Sequence, residues 1–228
     1  MDVRQPASEA NPRGRLLEAA VRLLAAGGPQ DLQARRLAAE VGLSTMAVYT
    51  HFGGMGQLIT EVVREGFTRF GRRLAEVPRG DDPVADLLAL GLAYRDWALG
   101  NPQLYWLMFG LTAPGGRRSG KNPALQAVVS PLPEGQAAFA QLVTAVRRIT
   151  DAGGPCGEEP AAAAAQLWSA VHGNVLLEIA GFFAGGDGVE RFLLPLLTKL
   201  AVGIGAAPGD AARCARLLAA GRGASPSH

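Results

Sequence analysis

The clearest structural signal in the chain is LAAEVGLSTMAVYTHF, residues 37–52. It predicts a helix, a turn at Gly42 and a second short helix, because glycine accommodates the positive φ that a tight turn requires. Small Ala38 lets the two backbones approach, and apolar Leu43 and Val48 can pack the helices at a steep angle. The stretch therefore predicts a helix-turn-helix.

The second of these helices combines hydroxyl groups with a histidine. A spacing of three or four residues gives it an outer face of Ser44, Thr45, Ala47, Tyr49 and Thr50, followed by His51. The second helix of a DNA-binding helix-turn-helix lies in the major groove, where hydroxyls donate to phosphate oxygens and contact base edges. The alternative is that the hydroxyls are helix caps and that His51 is an ordinary surface residue.

Helical periodicity continues along the chain, and Ala and Leu dominate its composition. We expect an all-α fold in which an N-terminal three-helix helix-turn-helix domain precedes a larger helical domain. The predicted helices cover 11–26, 32–41, 45–50, 55–76, 83–99, 102–111, 133–151, 159–184, 189–205 and 209–221. The predicted divisions are a flexible arm (1–12), the helix-turn-helix domain with its linking helix (13–76), the larger domain (77–222) and a flexible tail (223–228).

Charge is distributed unevenly between these parts. The first 75 residues contain ten arginines against seven acidic residues, whereas the remainder contains twelve basic against thirteen acidic residues. The cationic excess therefore lies in the N-terminal third, which has the sign expected for a polyanionic partner such as DNA.

Several functional classes lack their sequence signatures. Cys156 and Cys214 have no metal-like spacing, and we expect free thiols, no metal and no cofactor. No catalytic triad or paired-carboxylate pattern is present, and GGMG (53–56) lacks the Lys-Ser/Thr end of a phosphate loop. Without a secretory segment or a long apolar run, the sequence predicts a cytoplasmic protein that does not enter a membrane.

Residues 15–70 resemble the DNA-binding domain of the TetR family of transcriptional regulators. LLEAAVRLLAAGG, then LAAEVGLSTMAVYTHF, then a glycine-containing link into a long helix follow in the family's order, and the Tyr-x-His-Phe ending is the most specific part. The resemblance implies that Thr45, Tyr49 and His51 contact DNA, mainly its backbone, while Phe52 packs beneath them. The full candidate DNA-binding set is Arg35, Ser44, Thr45, Met46, Tyr49, Thr50 and His51.

The chain departs from the family pattern in two places. Leu32 and Gln33 stand where a Ser/Thr pair usually caps the second helix, and Met55 stands where the fourth helix usually starts with Lys. Loss of that Lys removes one phosphate contact, so we expect weaker salt-dependent affinity. Nearby arginines are expected to compensate, namely Arg4, Arg13, Arg15, Arg35 and Arg36.

A second motif lies in QLWSAVHGNVLLEIAGFF, residues 166–183. Its W-x-x-x-H-G-x-x-x-L-E-x-x-G spacing resembles the WHG type of C-terminal regulatory domain in the same family. His172 lies on an apolar helical stripe. It can be a core histidine with a neighbouring carbonyl or carboxylate, or a polar anchor in a ligand pocket. Metal binding is least supported, because no second His or Cys has a usable spacing.

Five of the fourteen aromatic residues lie in YRDWALGNPQLYWLMFG, residues 94–110. They can form core alone, or they can line an apolar pocket for a small, mostly apolar effector. The candidate ligand-binding set is Tyr94, Trp97, Tyr105, Trp106, Phe109, Phe139, Trp168, His172 and Val175.

The last long apolar helices are rich in small residues, and two from each subunit could form a four-helix dimer interface. The candidate interface residues are Gly173, Leu177, Gly181, Phe192, Leu196 and Leu200. Pro195 should kink or shorten its helix.

Together these features predict a ligand-responsive homodimeric repressor. It would bind a pseudo-palindromic operator in double-stranded DNA and be released by a small-molecule effector. One alternative is a small helical enzyme that uses His172 with Glu178 in an aromatic pocket. Six residues on a helix correspond to about 600° of rotation, so these two side chains should point in different directions. The other alternative is a helical interaction module without a DNA role.

Overall fold

A computed structural model describes residues 11–112, 132–153, 157–183 and 188–223. This part of the chain is all-α, as predicted, and contains no strand. Its helices are α1 (Pro12–Gly27), α2 (Ala34–Glu40), α3 (Met46–Phe52), α4 (Met55–Ala75), α5 (Pro83–Gly100), α6 (Pro102–Met108), α7 (Pro133–Gly153), α8 (Pro160–Ile179), α9 (Leu194–Gly203) and α10 (Pro208–Gly223). Most of the predicted arm, residues 1–10, the tail from 224 and Cys156 lie outside the described residues.

Local capping signals determine the ends of α1. The side chain of Asn11 accepts a hydrogen bond from the Arg13 amide at 3.1 Å, and Pro12 occupies the first helical position. Gly28 ends the helix with φ near 80°, and its amide donates to the Leu24 carbonyl at 2.8 Å. The predicted helix over 11–26 thus differs from α1 by one residue at each end.

The second helix begins later than predicted. Residues Pro29–Asp31 form a 3₁₀ turn, so Leu32 and Gln33 precede α2 rather than opening it. Gln33 makes no side-chain capping bond, which fits the missing Ser/Thr pair at this position. The hydrophobic spacing alone does not distinguish a tight 3₁₀ turn from the start of an α-helix.

Helix α3 is followed almost directly by α4. No side-chain capping bond is formed at the start of α3; instead, the backbone carbonyls of Ser44 and Thr45 accept from the amides of Ala47 and Val48. Gly53 ends α3 in the left-handed conformation with φ of 73°, which is open to glycine without strain. Only Gly53 and Gly54 separate α3 from Met55, the first residue of the 21-residue α4.

The chain divides into two compact units. Among the described residues, the N-terminal unit contains 11–67 and 101–112, and the C-terminal unit contains the rest. Helix α4 starts in the first unit and ends in the second, while α6 belongs to the first. Within the N-terminal unit, Gly66 lets α4 pack closely against α6, because a Cβ at this position would lie 2.7 Å from Sδ of Met108.

The core of the N-terminal unit forms where α1 packs against α2, α3 and α6. Its fully buried side chains include Leu16, Leu24, Leu37, Val48, Leu58 and Tyr105. In the C-terminal unit, α5 packs against α7, α8, α9 and α10. The fully buried side chains there include Leu87, Leu88, Ile149, Leu167, Leu193 and Leu197.

Helices α8 and α9 are shorter than predicted. Helix α8 ends at Ile179, and the next helical stretch opens with a π-helical turn over Gly188–Leu193. Helix α9 then begins with Pro195 in its first turn. Proline cannot donate the backbone hydrogen bond of a helix interior, so it occupies the start of a regular segment. None of the helices in the described ranges is long and apolar enough to cross a membrane.

Candidate nucleic-acid interface

The turn between α2 and α3 is held by backbone and side-chain hydrogen bonds. Gly42 has φ of 67°, and the Leu43 amide donates to the Ala38 carbonyl at 2.8 Å. The Arg15 guanidinium of α1 donates to the Val41 carbonyl at 2.6 Å. These contacts fix the angle at which α3 leaves the turn, as the helix-turn-helix pattern requires.

Helix α3 has one buried side and one exposed side. Val48 is fully buried and Phe52 nearly so, which attaches the helix to the core of the N-terminal unit. On the other side, Met46 is 65% exposed and Tyr49 is 51% exposed. The remaining candidates Ser44, Thr45 and Thr50 are exposed, and His51 is half-buried.

The arginines near this surface have different environments. Arg13 forms an ion pair with Glu61 at 2.6 Å, and its guanidinium lies 4.9 Å from the centre of the Phe52 ring. Arg36 is paired with Asp31. Arg35 is exposed and has no ion pair within the described residues. Of the described arginines expected to compensate for the missing Lys, Arg13 and Arg36 are thus ion-paired, whereas the guanidinium of Arg35 is exposed and outside these pairs.

A hydrogen-bonded group of three side chains lies in the C-terminal unit. Trp168 Nε1 donates to the Tyr94 hydroxyl at 3.2 Å, and that hydroxyl is 3.1 Å from Nδ1 of His172. Burial lowers the pKa of His172 to about 4, so the ring is neutral at pH 7. Phe139 lies 5.9 Å from Trp168, measured between ring centres, and Val175 is buried.

The other predicted ligand residues separate into two groups. Tyr94 and Trp97 of the C-terminal unit each have their ring centre 5.0 Å from that of Phe70. Tyr105, Trp106 and Phe109 belong to the N-terminal unit, where Tyr105 is fully buried and its ring centre lies 4.8 Å from that of Phe109. The compact run of aromatic residues in the sequence is thus divided between two cores.

Sequence reasoning missed a cavity of about 320 Å³ in the C-terminal unit. It is lined by residues 74–79 together with parts of α5 and α7, and it contains none of the predicted ligand residues. Arg148 forms an ion pair with Asp86 and donates to the Gly80 carbonyl at 2.7 Å. No local signal could have identified this pair, because the two residues are 62 positions apart.

The candidate dimer residues lie on α8 and α9 and on the segment between them. Leu177 and Phe192 are exposed, Leu196 and Leu200 are half-buried, and Phe182 beside them is 74% exposed. The Phe183 and Phe192 rings are stacked with centres 4.3 Å apart. A Cβ on Gly173 would contact no other atom within 4 Å, and Gly181 has φ of 86°.

Metal binding has no support within the described ranges. No group of three His, Cys, Asp or Glu side chains there could hold a metal ion. Glu178 is paired with Arg95, and Cys214 is a buried free thiol.

The helical fold and the helix-turn-helix define a DNA-binding transcriptional regulator. Residues 87–200 match the family model described as "Tetracyclin repressor-like, C-terminal domain", and residues 16–62 match "Bacterial regulatory proteins, tetR family". The chain belongs to the TetR family of transcriptional regulators. This confirms the resemblance noted in the sequence, and it makes the enzyme alternative wrong.

Individual relatives extend the comparison. The HTH-type transcriptional regulator Rv1816 of Mycobacterium tuberculosis is 27% identical over 106 residues, which are 44% of this chain and 44% of that protein. The match thus spans less than half the length of this curated relative. A protein of unknown function from Rhodococcus sp. RHA1 is 24% identical, with a TM-score of 0.71 over 89% of this chain and 100% of that one.

The structure of RolR in complex with resorcinol is 15% identical, with a TM-score of 0.59 over 90% of this chain and 92% of that one. At these identities, the likeness to the Rhodococcus protein and to RolR is one of fold.

Proposed function

We propose that the chain is a homodimeric repressor that binds a pseudo-palindromic operator through α3 and leaves it when a small effector binds the C-terminal unit. The observation that carries this proposal is the two-sided character of α3. Val48 and Phe52 hold the helix in the core, while Met46 and Tyr49 expose large apolar surfaces among hydroxyl groups. Such a mixed surface suits the bases and phosphates of a major groove.

The proposed DNA contacts divide by chemistry. Ser44, Thr45, Thr50 and His51 can donate to phosphate oxygens, and Arg35 adds an exposed positive charge. Tyr49 offers both a ring face and a hydroxyl. We assign residues 13–76 to DNA binding and 77–222 to regulation.

Operator binding tests this proposal directly. The full chain is titrated against the DNA upstream of its gene and against random duplex DNA at two salt concentrations. We expect specific binding to the upstream DNA that weakens as salt rises. Equal affinity for both duplexes at both salt concentrations contradicts the proposal.

Tyr49→Ala should weaken operator binding at least about tenfold, a loss comparable with that of one good base contact. Its helical circular dichroism and melting temperature should remain close to those of the parent protein, because Tyr49 is half-exposed. Leu217→Ala is the control, since Leu217 is 68% exposed on α10 in the other unit. An unchanged affinity in Tyr49→Ala removes this residue from the interface.

The exposed apolar residues of α8 and of the following segment support a homodimer. Leu177, Phe182 and Phe192 expose apolar surface on neighbouring elements, which is characteristic of an association surface. Leu177→Glu should shift the protein from dimer to monomer in sedimentation equilibrium, because a buried unpaired carboxylate is strongly unfavourable. Leu217→Glu is the matched control and should remain dimeric. The same mass for both variants contradicts the assigned interface.

We place the effector beside Tyr94, Trp168 and His172. A neutral His172 and the Tyr94 hydroxyl favour an uncharged ligand with a hydroxyl or carbonyl group, and Phe139 and Trp168 favour a ring. RolR, which binds resorcinol in its crystal structure, has the same fold. The chemistry of the ligand nevertheless rests on the residues of this chain, because the likeness is in the fold alone.

The cavity at the end of α4 is a second location for the effector. Its volume of about 320 Å³ suits a small ring compound, and Asp86, Arg148 and Gln141 supply hydrogen-bonding groups. Resorcinol and related phenols can be titrated into the full chain bound to operator DNA. If His172→Phe abolishes release and Arg148→Gln does not, the first location is supported, and the reverse result supports the second.

Trp168→Ala is a broader test of the regulatory role. It should weaken the dimer or the response to effector, while amide exchange shows that the helix-turn-helix remains folded. Loss of DNA binding alone, with an intact dimer and an intact response, would contradict the assignment of Trp168 to regulation.

A further inference from the structure

The exposed side of α3 lacks the side chains that most often read bases. Between Ser44 and His51 the sequence contains no Arg, Lys, Asn, Gln, Asp or Glu. The available groups are hydroxyls, the His51 ring, and the apolar surfaces of Met46 and Ala47. Direct reading of guanine by Arg or Lys, and of adenine by Asn or Gln, is therefore unavailable to this helix.

The most exposed large apolar side chain of the described N-terminal unit is Met46. It is 65% exposed, compared with 51% for Tyr49 and 39% for Leu111, the other exposed large apolar residues in that part of the chain. Because Met46 is the first residue of α3, it lies at the end of a recognition helix that contacts base edges. Tyr49 lies one turn further along the same face.

The major groove offers one apolar group for such a side chain. Thymine carries a 5-methyl group there, whereas the other three bases present mainly hydrogen-bond donors and acceptors, for which a thioether sulfur is only a weak acceptor. The flanking hydroxyls of Ser44 and Thr45 and the charge of Arg35 suit the adjacent phosphates. These surroundings identify DNA as the occupant of the apolar surface.

We infer that Met46 is a specificity-determining residue that recognises the 5-methyl group of a thymine in each operator half-site. The inference rests on the proposed function, since it concerns the same DNA interface. It predicts that the operator contains an essential thymine whose contribution comes from the methyl group and not from its hydrogen-bonding edge.

Removal of single thymine methyl groups from the operator tests this inference. The operator is first defined by selection from random duplexes with the full chain. Each thymine of a half-site is then replaced by deoxyuridine, which lacks only the methyl group. We expect one replacement to weaken binding roughly fourfold per half-site, the factor that corresponds to the burial of one methyl group.

The variant Met46→Ala assigns the contact. It should bind the parent operator more weakly and should no longer distinguish thymine from deoxyuridine at the sensitive position. Leu217→Ala, which shortens a similarly exposed apolar side chain on α10, should retain the full fourfold discrimination. Circular dichroism checks that both variants have the parent helix content.

The outcomes are distinct. Equal affinity for all deoxyuridine duplexes overturns the inference and leaves operator binding intact. Discrimination that persists unchanged in Met46→Ala also overturns it, because another side chain then contacts the methyl group. If no sequence is selected from the random pool, the proposed function itself fails, and the inference fails with it.

Discussion

Arg95 on α5 and Glu178 on α8 form an ion pair that is almost completely removed from water. Arg95 Nε donates to Glu178 Oε2 at 2.8 Å, and the two side chains are only 12% and 10% exposed. Arg95 also contacts Asp96, which is paired with Arg222 of α10. The pair therefore belongs to a charged group that connects three helices of the C-terminal unit.

Arg95→Met should lower the free energy of unfolding by about 3 kcal/mol, because Glu178 is left as a buried carboxylate without its partner. The double variant Arg95→Met/Glu178→Leu should recover much of this loss. Urea denaturation of the parent, both single variants and the double variant measures the coupling.

A surface ion pair provides the control for this cycle. Arg73 and Glu76 are 3.8 Å apart, and both are well exposed. Arg73→Met should change the free energy of unfolding by less than about 0.5 kcal/mol. Similar losses for Arg73→Met and Arg95→Met would show that burial does not determine the contribution of the pair.

The half-buried ring of His172 predicts a dependence of stability on pH. Its pKa is lowered from 6.5 to about 4 in the folded protein, so the unfolded chain binds the extra proton first as the pH falls. The contribution of the neutral His172 ring to the free energy of unfolding is fully present above pH 6.5 and is lost as the pH falls towards 4. Because the ring is partly exposed, we expect a loss of about 2 kcal/mol.

The variant His172→Gln isolates the effect of His172 protonation on the free energy of unfolding, since glutamine does not titrate between pH 4 and 7. The difference in unfolding free energy between parent and variant should shrink or change sign as the pH falls from 7 to 4. Urea titrations at several pH values provide the measurement. A difference that is constant with pH would contradict the lowered pKa.

Gly91 marks a close contact between α5 and α9. A Cβ at this position would lie 2.5 Å from Cδ1 of Leu197, which is fully buried. Alanine improves helix propensity by up to about 1 kcal/mol, but overpacking a core typically costs 1–3 kcal/mol. Gly91→Ala should therefore destabilise the protein by about 1 kcal/mol in a thermal or urea melt.

Gly203→Ala is the matched control, because a Cβ at the end of α9 would contact no other atom within 4 Å. It should be neutral or slightly stabilising. The double variant Gly91→Ala/Leu197→Val should be more stable than Gly91→Ala. Equal stabilisation by Gly91→Ala and Gly203→Ala would exclude a tight contact at Gly91.

The hydrogen bond from Arg15 to the Val41 carbonyl should stabilise the turn that precedes α3. Arg15→Ala is expected to lower the stability of the N-terminal unit by about 1 kcal/mol. Faster amide exchange of Leu43 and Val48 would report the change. Arg22→Ala, which removes only a 3.6 Å surface pair with Glu40, should leave these exchange rates nearly unchanged.

Local signals predicted the helix-turn-helix region well. Asn11, Pro12, Gly42 and Gly53 occupy the caps and turns that their chemistry favours, and the TetR family assignment is confirmed. The start of α2 was missed because periodicity cannot identify a 3₁₀ turn at Pro29–Asp31.

Long-range packing could not be predicted in the same way. The partners Arg95 and Glu178 are 83 positions apart, and the residues that line the cavity come from three separate segments. The aromatic run 94–110 is continuous in sequence, yet it is divided between two cores at Gly100. The roles of the individual DNA-binding, ligand-binding and dimer residues stay predictions.

Two of the seven residues of α3, Val48 and Phe52, contribute their side chains to the core, whereas Met46, Tyr49 and Thr50 face away from it. Substitutions at the outward positions should therefore leave the free energy of unfolding nearly unchanged. A library that randomises these outward positions should consist mostly of folded proteins with altered operator preference. On the proposed function, these outward positions can be exchanged without loss of the fold, and we expect the chain to serve as a scaffold for regulators of new DNA sequences.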